Sequence, residues 1–197
     1  MNDDLIVIDN VLTDPYQLIA LAKKIHYHSN EANLLPDMVE NTESKLWGGW
    51  RGYRSNPLDT IDADLEKLWF DEIFNKAFST QSVTGYDIVS YLHFSTARLN
   101  NIIPQHIRWH NDIDPSKNYY PKYAGVVYLT PNAPLDSGTS VILSDKKIKN
   151  VENVFNRAVI YKADLMHKPN RLFGDTMDNS RLTLTFFIKD ISLVNKV

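Results

Sequence analysis

The chain has 197 residues, a formal net charge of −3, 43% hydrophobic and 23% charged residues, an ordinary balance for a globular domain with its own core. Nothing in that charge favours nucleic acid or an anionic membrane as the main partner. The absence of cysteine excludes disulfides, thiolate zinc sites, iron–sulfur clusters and cysteine nucleophiles, so any metal must be held by nitrogen and oxygen.

The opening MNDDLIVIDN lacks the basic start and long apolar stretch of a signal peptide. No apolar run reaches the roughly 18 residues of a membrane span, and a cytoplasmic protein is expected. Leu5 to Ile8 reads as a short strand. Thr13-Asp14-Pro15 supplies a capping oxygen followed by proline at the first helical position. The apolar residues Leu18, Ile19, Leu21, Ala22 and Ile25 then follow at helical spacing. Residues 28 to 57 read as irregular, with Trp47, Gly48, Gly49, Trp50, Gly52 and Tyr53 as a glycine-interrupted aromatic cluster that suggests an ordered loop or a lid. A second helix is expected from about Asp59 to Phe78, with the stripe Ile61, Leu65, Leu68, Trp69, Phe74, Ala77 and Phe78.

From residue 84 the pattern turns to strands: Tyr86 to Ser95, Tyr123 to Leu129, Thr139 to Leu143, Ala158 to Tyr161 and Arg181 to Ile188, separated by Pro, Asn, Asp and Gly. Helices first and strands after predict an α+β, mainly β protein in which helices buttress a sandwich or barrel. One domain over 1–197 is expected, helical to about residue 83 and a β-barrel over about 84–190.

His110-Asn111-Asp112 places an imidazole and a carboxylate on one face of an extended segment. His167 is the natural third ligand. Two histidines and one carboxylate on one face of a metal leave the other positions open, which suits Fe(II) in oxygenases. In Arg181 to Ile188 alternation puts Arg181, Thr183, Thr185 and Phe187 on one face and Leu182, Leu184, Phe186 and Ile188 on the other. The second set can pack on helices. In the first, a guanidinium fork beside a hydroxyl is a receptor for a carboxylate.

In this order the elements resemble the 2-oxoglutarate/Fe(II) dioxygenase superfamily, nearest its prolyl-hydroxylase-like branch, over about residues 84 to 190. The matching pieces are His110-Asn111-Asp112, Tyr123 to Leu129, Ser137-Gly138-Thr139-Ser140, His167 and Arg181-Leu182-Thr183. The Trp50 to Arg54 segment looks like small phage and bacterial members. The resemblance implies a double-stranded β-helix, that is, a jelly-roll or cupin-like barrel. It implies His110, Asp112 and His167 as both metal ligands and catalytic centre, with Fe(II), O2 and 2-oxoglutarate as cofactor and co-substrates. It implies Arg181, helped by Thr183, as the partner of the far carboxylate. A tyrosine that often binds 2-oxoglutarate in the family has two candidates here, Tyr91 and Tyr128. Ser137 stands where glycine is common. Phe187 stands where the nucleic-acid demethylase branch carries a second arginine, so no nucleic acid is expected as substrate. The implied reaction is hydroxylation of a peptide side chain, amino acid or small metabolite.

Two competing readings share these residues: a jelly-roll binding module without catalysis, and a cupin-like metalloenzyme that does not use 2-oxoglutarate. His106 and His110 stand at zinc-protease spacing, but Ile107 occupies the place of the glutamate base. Arg108, Trp109, Tyr119, Tyr120 and Tyr123 flank the motif as substrate-contact or packing residues, and the Lys146 to Lys149 run reads as a solvated turn.

Overall fold

The computed structural model describes residues 4–29, 39–41, 52–102 and 109–196; His106, Arg108 and the part of the aromatic cluster from Trp47 to Arg51 lie outside them. The elements in chain order are β1 (Leu5–Ile8), α1 (Pro15–Ala22), β2 (Tyr27–Ser29), β3 (Val39–Asn41), β4 (Tyr53–Ser55) and α2 (Asp59–Ala77). They continue with β5 (Gln81–Ser95), the one-turn α3 (Leu99–Ile102), β6 (Tyr123–Tyr128), β7 (Thr139–Ile142), β8 (Ile148–Val151), β9 (Ala158–Lys162), β10 (His167–Pro169) and β11 (Arg181–Asn195). The strands form an eight-stranded sheet, β1-β9-β6-β11-β5-β4-β2-β3, and a three-stranded sheet, β10-β7-β8. Among the described strands every pairing is antiparallel except that of β2 with β3. The fold is the mainly β double-stranded β-helix expected, with two helices against the larger sheet.

Helix α1 starts as its sequence dictates. The Asp14 carboxylate accepts from the Tyr16 backbone N–H at 3.0 Å, and Pro15 takes the first turn. It ends at Ala22, short of Ile25, because Lys24 N–H bonds Leu21 O in a tighter closing turn. In α2, Asp62 is non-helical (φ −158°, ψ 90°). Its carboxylate accepts from Leu65 N–H at 3.1 Å, which makes it a cap inside the helix.

The two faces of the large sheet hold two separate cores. Leu182, Leu184, Phe186 and Ile188 of β11 meet Trp69, Phe70, Ile73 and Phe74 of α2, with Phe70 and Phe186 edge-to-face at 5.1 Å. Ala124, Val126, Tyr128, Val141, Val151, Val159 and Tyr161 fill the space between the sheets, with Phe187 packed against them. The alternation along β11 therefore divides the molecule into a helix-backed side and an inner side.

Three features differ from the pattern in the sequence. The segment read as irregular contains β2, β3 and β4. Three-residue strands are too short to show alternation, and β4 is held by pairing with β5, Tyr53 opposite Phe94. β5 begins at Gln81 rather than Tyr86, and β11 runs to Asn195 rather than Ile188. Beyond Ile188, β11 no longer pairs with β6, but its ladder with β5 continues to Gln81 opposite Asn195. Polar residues there, such as Ser82, Thr84 and Ser192, disguise the strand.

Candidate metal and co-substrate site

His110 sits at an isolated antiparallel bridge with His167. His110 N–H donates to His167 O at 3.0 Å and His167 N–H to His110 O at 2.8 Å, while Asp112 N–H donates to Ala163 O at 2.9 Å. The His-x-Asp segment thus runs extended beside β10, so residues 110 and 112 face the same way. Asp112 stands between the imidazoles: Oδ1 is 4.0 Å from His110 Nε2, and Oδ2 is 3.4 Å from His167 Nε2. One ligand atom from each of the three lies within 4.8 Å of the others. Cis ligands on a metal with bonds of about 2.1 Å are about 3 Å apart, so a small contraction of this triangle closes it on one ion.

The chemistry of the donors fits a cation. His167 Nδ1 is 3.1 Å from Leu165 O. A carbonyl only accepts, so Nδ1 carries the proton and the Nε2 lone pair points toward Asp112. Burial, then the neighbouring His110, lowers the His167 pKa to about 3; it is neutral at physiological pH, as a metal ligand must be. Burial raises the Asp112 carboxyl, opposed by His110 and Arg54. Its Oδ2 is buried with no hydrogen-bond partner among the described residues and faces a nitrogen lone pair. Two such acceptors facing each other require a cation or a proton between them.

Arg181 lies deeper, at the start of β11, 5% exposed. Its Nε donates to Ser137 O at 3.2 Å and its Nη2 to Thr139 Oγ1 at 3.2 Å. Thr139 Oγ1 also accepts from the Tyr128 hydroxyl at 2.7 Å, and the guanidinium stands 5.4 Å from the Tyr128 ring. Burial pulls the Arg181 pKa down; the groups that oppose this are Tyr128 and Tyr161. No carboxylate pairs with it among the described residues. A buried guanidinium held only by neutral groups is an incomplete ion pair, and withdrawing an ion from water costs several kcal/mol unless an anion returns the energy.

Of the two tyrosines chosen from the sequence, Tyr128 stands beside Arg181. Tyr91 pairs with Thr185 further along β11, and its ring lies under the Arg54 guanidinium, 4.8 Å away. Thr183 is fully buried on the same face as Arg181, opposite Tyr128. Its hydroxyl donates to His93 O at 3.2 Å and meets Thr185 Oγ1 at 3.1 Å. Thr139 is therefore the hydroxyl that touches the guanidinium. Ser137, where glycine is common in the resembling family, is accommodated: its hydroxyl donates to Pro134 O and accepts from Asn153 Nδ2 at 3.0 Å.

Sequence reasoning passed over three residues here. Thr139 belongs to the Ser137-Gly138-Thr139 turn, whose position before β7 was its signal. Tyr161 is 4% exposed, its ring 4.4 Å from that of His167, and it feels both Asp112 and Arg181; alternation in β9 was its only mark. Arg54 had none, because its strand is three residues long. Of the flanking aromatics, Tyr119 packs on Phe187 at 6.4 Å and Tyr120 is exposed. Tyr123 joins the helix-side core, and Trp109 lies under the Lys168 ammonium at 5.1 Å.

Solved structures share this fold. The chain is similar to SnoN, described as the non-haem alpha-ketoglutarate-dependent epimerase of nogalamycin biosynthesis, with 12% identity over 100% of this chain and 81% of that one, TM-score 0.57. It is similar to HygX from Streptomyces hygroscopicus, solved with nickel, 2-oxoglutarate and hygromycin B bound, with 11% identity over 95% and 83%, TM-score 0.55. It is also similar to a Pseudomonas putida prolyl-4-hydroxylase, with 15% identity over 95% and 92%, TM-score 0.51. No family model matches the sequence, and no curated protein matches it. At these identities the likeness shows the fold alone, the jelly roll that these solved structures share.

Proposed function

We propose that this single domain is a non-haem Fe(II) and 2-oxoglutarate-dependent dioxygenase that hydroxylates a peptide side chain, an amino acid or a small metabolite. The observation that carries the reading is the coexistence, on one inner face, of a His-Asp-His triad and a buried arginine with no carboxylate partner among the described residues. A metal site alone suits many enzymes; the second element calls for a carboxylate at a fixed distance from the metal.

His110, Asp112 and His167 would hold the metal. With the metal and 2-oxoglutarate bound, the site supplies oxidative decarboxylation coupled to attack on an unactivated C–H bond. The chain's residues do the rest. Arg181 takes the far carboxylate by charge-assisted hydrogen bonds and completes its own ion pair. Thr139 and the Ser137 carbonyl fix the guanidinium from the other side. Tyr128, kept protonated by burial, stands against the guanidinium, and Thr183 shares the face of Arg181 opposite it. Leu165 O holds the His167 proton on Nδ1 and so keeps Nε2 available. The apolar wall of Val126, Val141 and Val159 keeps bulk water from the reacting centre.

The test is an anaerobic titration of the Fe(II)-loaded protein with 2-oxoglutarate, followed by visible absorption. A weak charge-transfer band that grows with 2-oxoglutarate and is absent in His167→Ala is expected. Iron binding without the band favours the cupin-like enzyme; no iron binding leaves the non-catalytic module.

A further inference from the structure

A second constellation on the same inner face is centred on Arg54. β4 brings Arg54 opposite His93 of β5, and its guanidinium carbon stands 4.8 Å from the Tyr91 ring and 5.9 Å from the Phe187 ring. Tyr91 and Phe187 meet at 6.5 Å and Tyr119 and Phe187 at 6.4 Å, both edge-on. Two aromatic rings thus stand against one guanidinium, and Tyr119 extends the cluster through Phe187. The position is set by three separate parts of the chain: β4, the inner face of the β5/β11 pair, and the loop that follows the His-x-Asp segment.

The box differs from the Arg181 pocket in two ways. Tyr91, Tyr119 and Phe187 are each only partly buried, so it opens outward, whereas Arg181, Thr183 and Tyr128 are buried. It also adjoins the metal ligands: Arg54 and the Asp112 carboxylate act on each other electrostatically. A group bound there is held beside Asp112 of the triad, away from Arg181.

The chemistry of the walls selects the ligand. Aromatic faces hold an apolar or flat body and, by cation–π contact, hold the guanidinium in place. The guanidinium fork matches a carboxylate. Arg54 acts electrostatically on both Tyr91 and Tyr119, and its single positive charge matches a monoanion better than a phosphate dianion. We propose that Arg54, Tyr91, Tyr119 and Phe187 form the primary-substrate subsite, and that the substrate presents a carboxylate to Arg54 while its apolar part packs on the three rings. The fate of that substrate rests on the oxygenase reading; its recognition does not.

The experiment uses the full chain loaded with Zn(II), a diamagnetic stand-in for nitrogen and oxygen ligands, and saturated with 2-oxoglutarate. Saturation-transfer NMR measures two matched pairs of probes: benzoate against benzamide, and acetyl-Gly-Asp-Gly-amide against its Asn analogue. The charged member of at least one pair is expected to bind about tenfold tighter, as a charge-assisted hydrogen bond predicts. Preference within the first pair identifies a free acid, and preference within the second an acidic peptide side chain. Arg54→Gln is expected to abolish the preference and Arg54→Lys to restore part of it. Equal binding within both pairs, absence of binding included, overturns the proposal; the wild-type comparison decides even where a variant fails to fold. Failure of the oxygenase reading is separate, since it appears as loss of the 2-oxoglutarate charge-transfer band with Fe(II).

Discussion

His110 and His167 exchange both of their main-chain hydrogen bonds, at 3.0 and 2.8 Å, and this places their imidazole centroids 4.3 Å apart. Directly opposed residues in an antiparallel pair project to the same face. The same bridge that joins the His-x-Asp segment to β10 therefore assembles two of the three metal donors, and Asp112 follows by alternation.

The Asp112 carboxyl is raised by burial, so its ionised form costs the apo fold stability. The sign follows from linkage: a group raised above its unfolded pKa contributes stability below that value and loses it as pH rises through the folded value. Apo Asp112→Asn should therefore be more stable than the apo wild type at pH 8, and the advantage should shrink as pH falls toward 4. Urea unfolding of the chelator-treated proteins at both pH values measures it. The same variant should lose metal affinity. His167 works in the opposite sense: lowered to about 3, it contributes stability above about pH 6.5 that is lost on acidification toward 3.

Arg181→Met should leave the apo protein as stable as wild type or more so, because it replaces a buried cation that lacks a carboxylate among the described residues with an apolar side chain of similar volume. It should raise the Kd for 2-oxoglutarate about a hundredfold while Fe(II) affinity stays within about twofold. Paired titrations and urea melts check both parts. A large loss of apo stability would mean that Arg181 is a structural clamp for the Ser137–Thr139 turn.

Tyr161 keeps its proton, since burial and then Asp112 raise it well above the usual tyrosine range. Its hydroxyl meets no hydrogen-bond partner among the described residues and lies within electrostatic reach of both Asp112 and Arg181. Tyr161→Phe should raise the 2-oxoglutarate Kd about tenfold, the worth of one hydrogen bond to a charged group, with Fe(II) affinity unchanged. An unchanged Kd would make the ring a wall alone.

Gly138 leads from the Arg181 carbonyl partner into β7. A Cβ there would lie 1.8 Å from the Val151 carbonyl oxygen, a main-chain atom that cannot turn away. Gly138→Ala should destabilise the protein by about 1–3 kcal/mol, as overpacking does. It should also weaken 2-oxoglutarate binding, because Ser137 and Thr139 must move with it. Thermal unfolding and the charge-transfer titration read the two effects.

The features legible in the sequence are those set by neighbours a few residues apart. The spacing in His110-Asn111-Asp112 allowed two donors on one face, and alternation in Arg181 to Ile188 separated a helix-side core from an inner wall. Asp14-Pro15 marked the start of α1. Tertiary structure decided what depends on register between distant strands: that His167 lies opposite His110, that Thr139 rather than Thr183 touches Arg181, that Tyr128 stands beside Arg181 and Tyr91 beneath Arg54, and that Tyr161 faces the triad. It also decided the charge states, because burial is a property of the packed whole. Side-chain direction within a strand repeats every two residues and is written locally. Which strands pair, and in which register, is set by burying two cores at once, and consecutive residues do not record it.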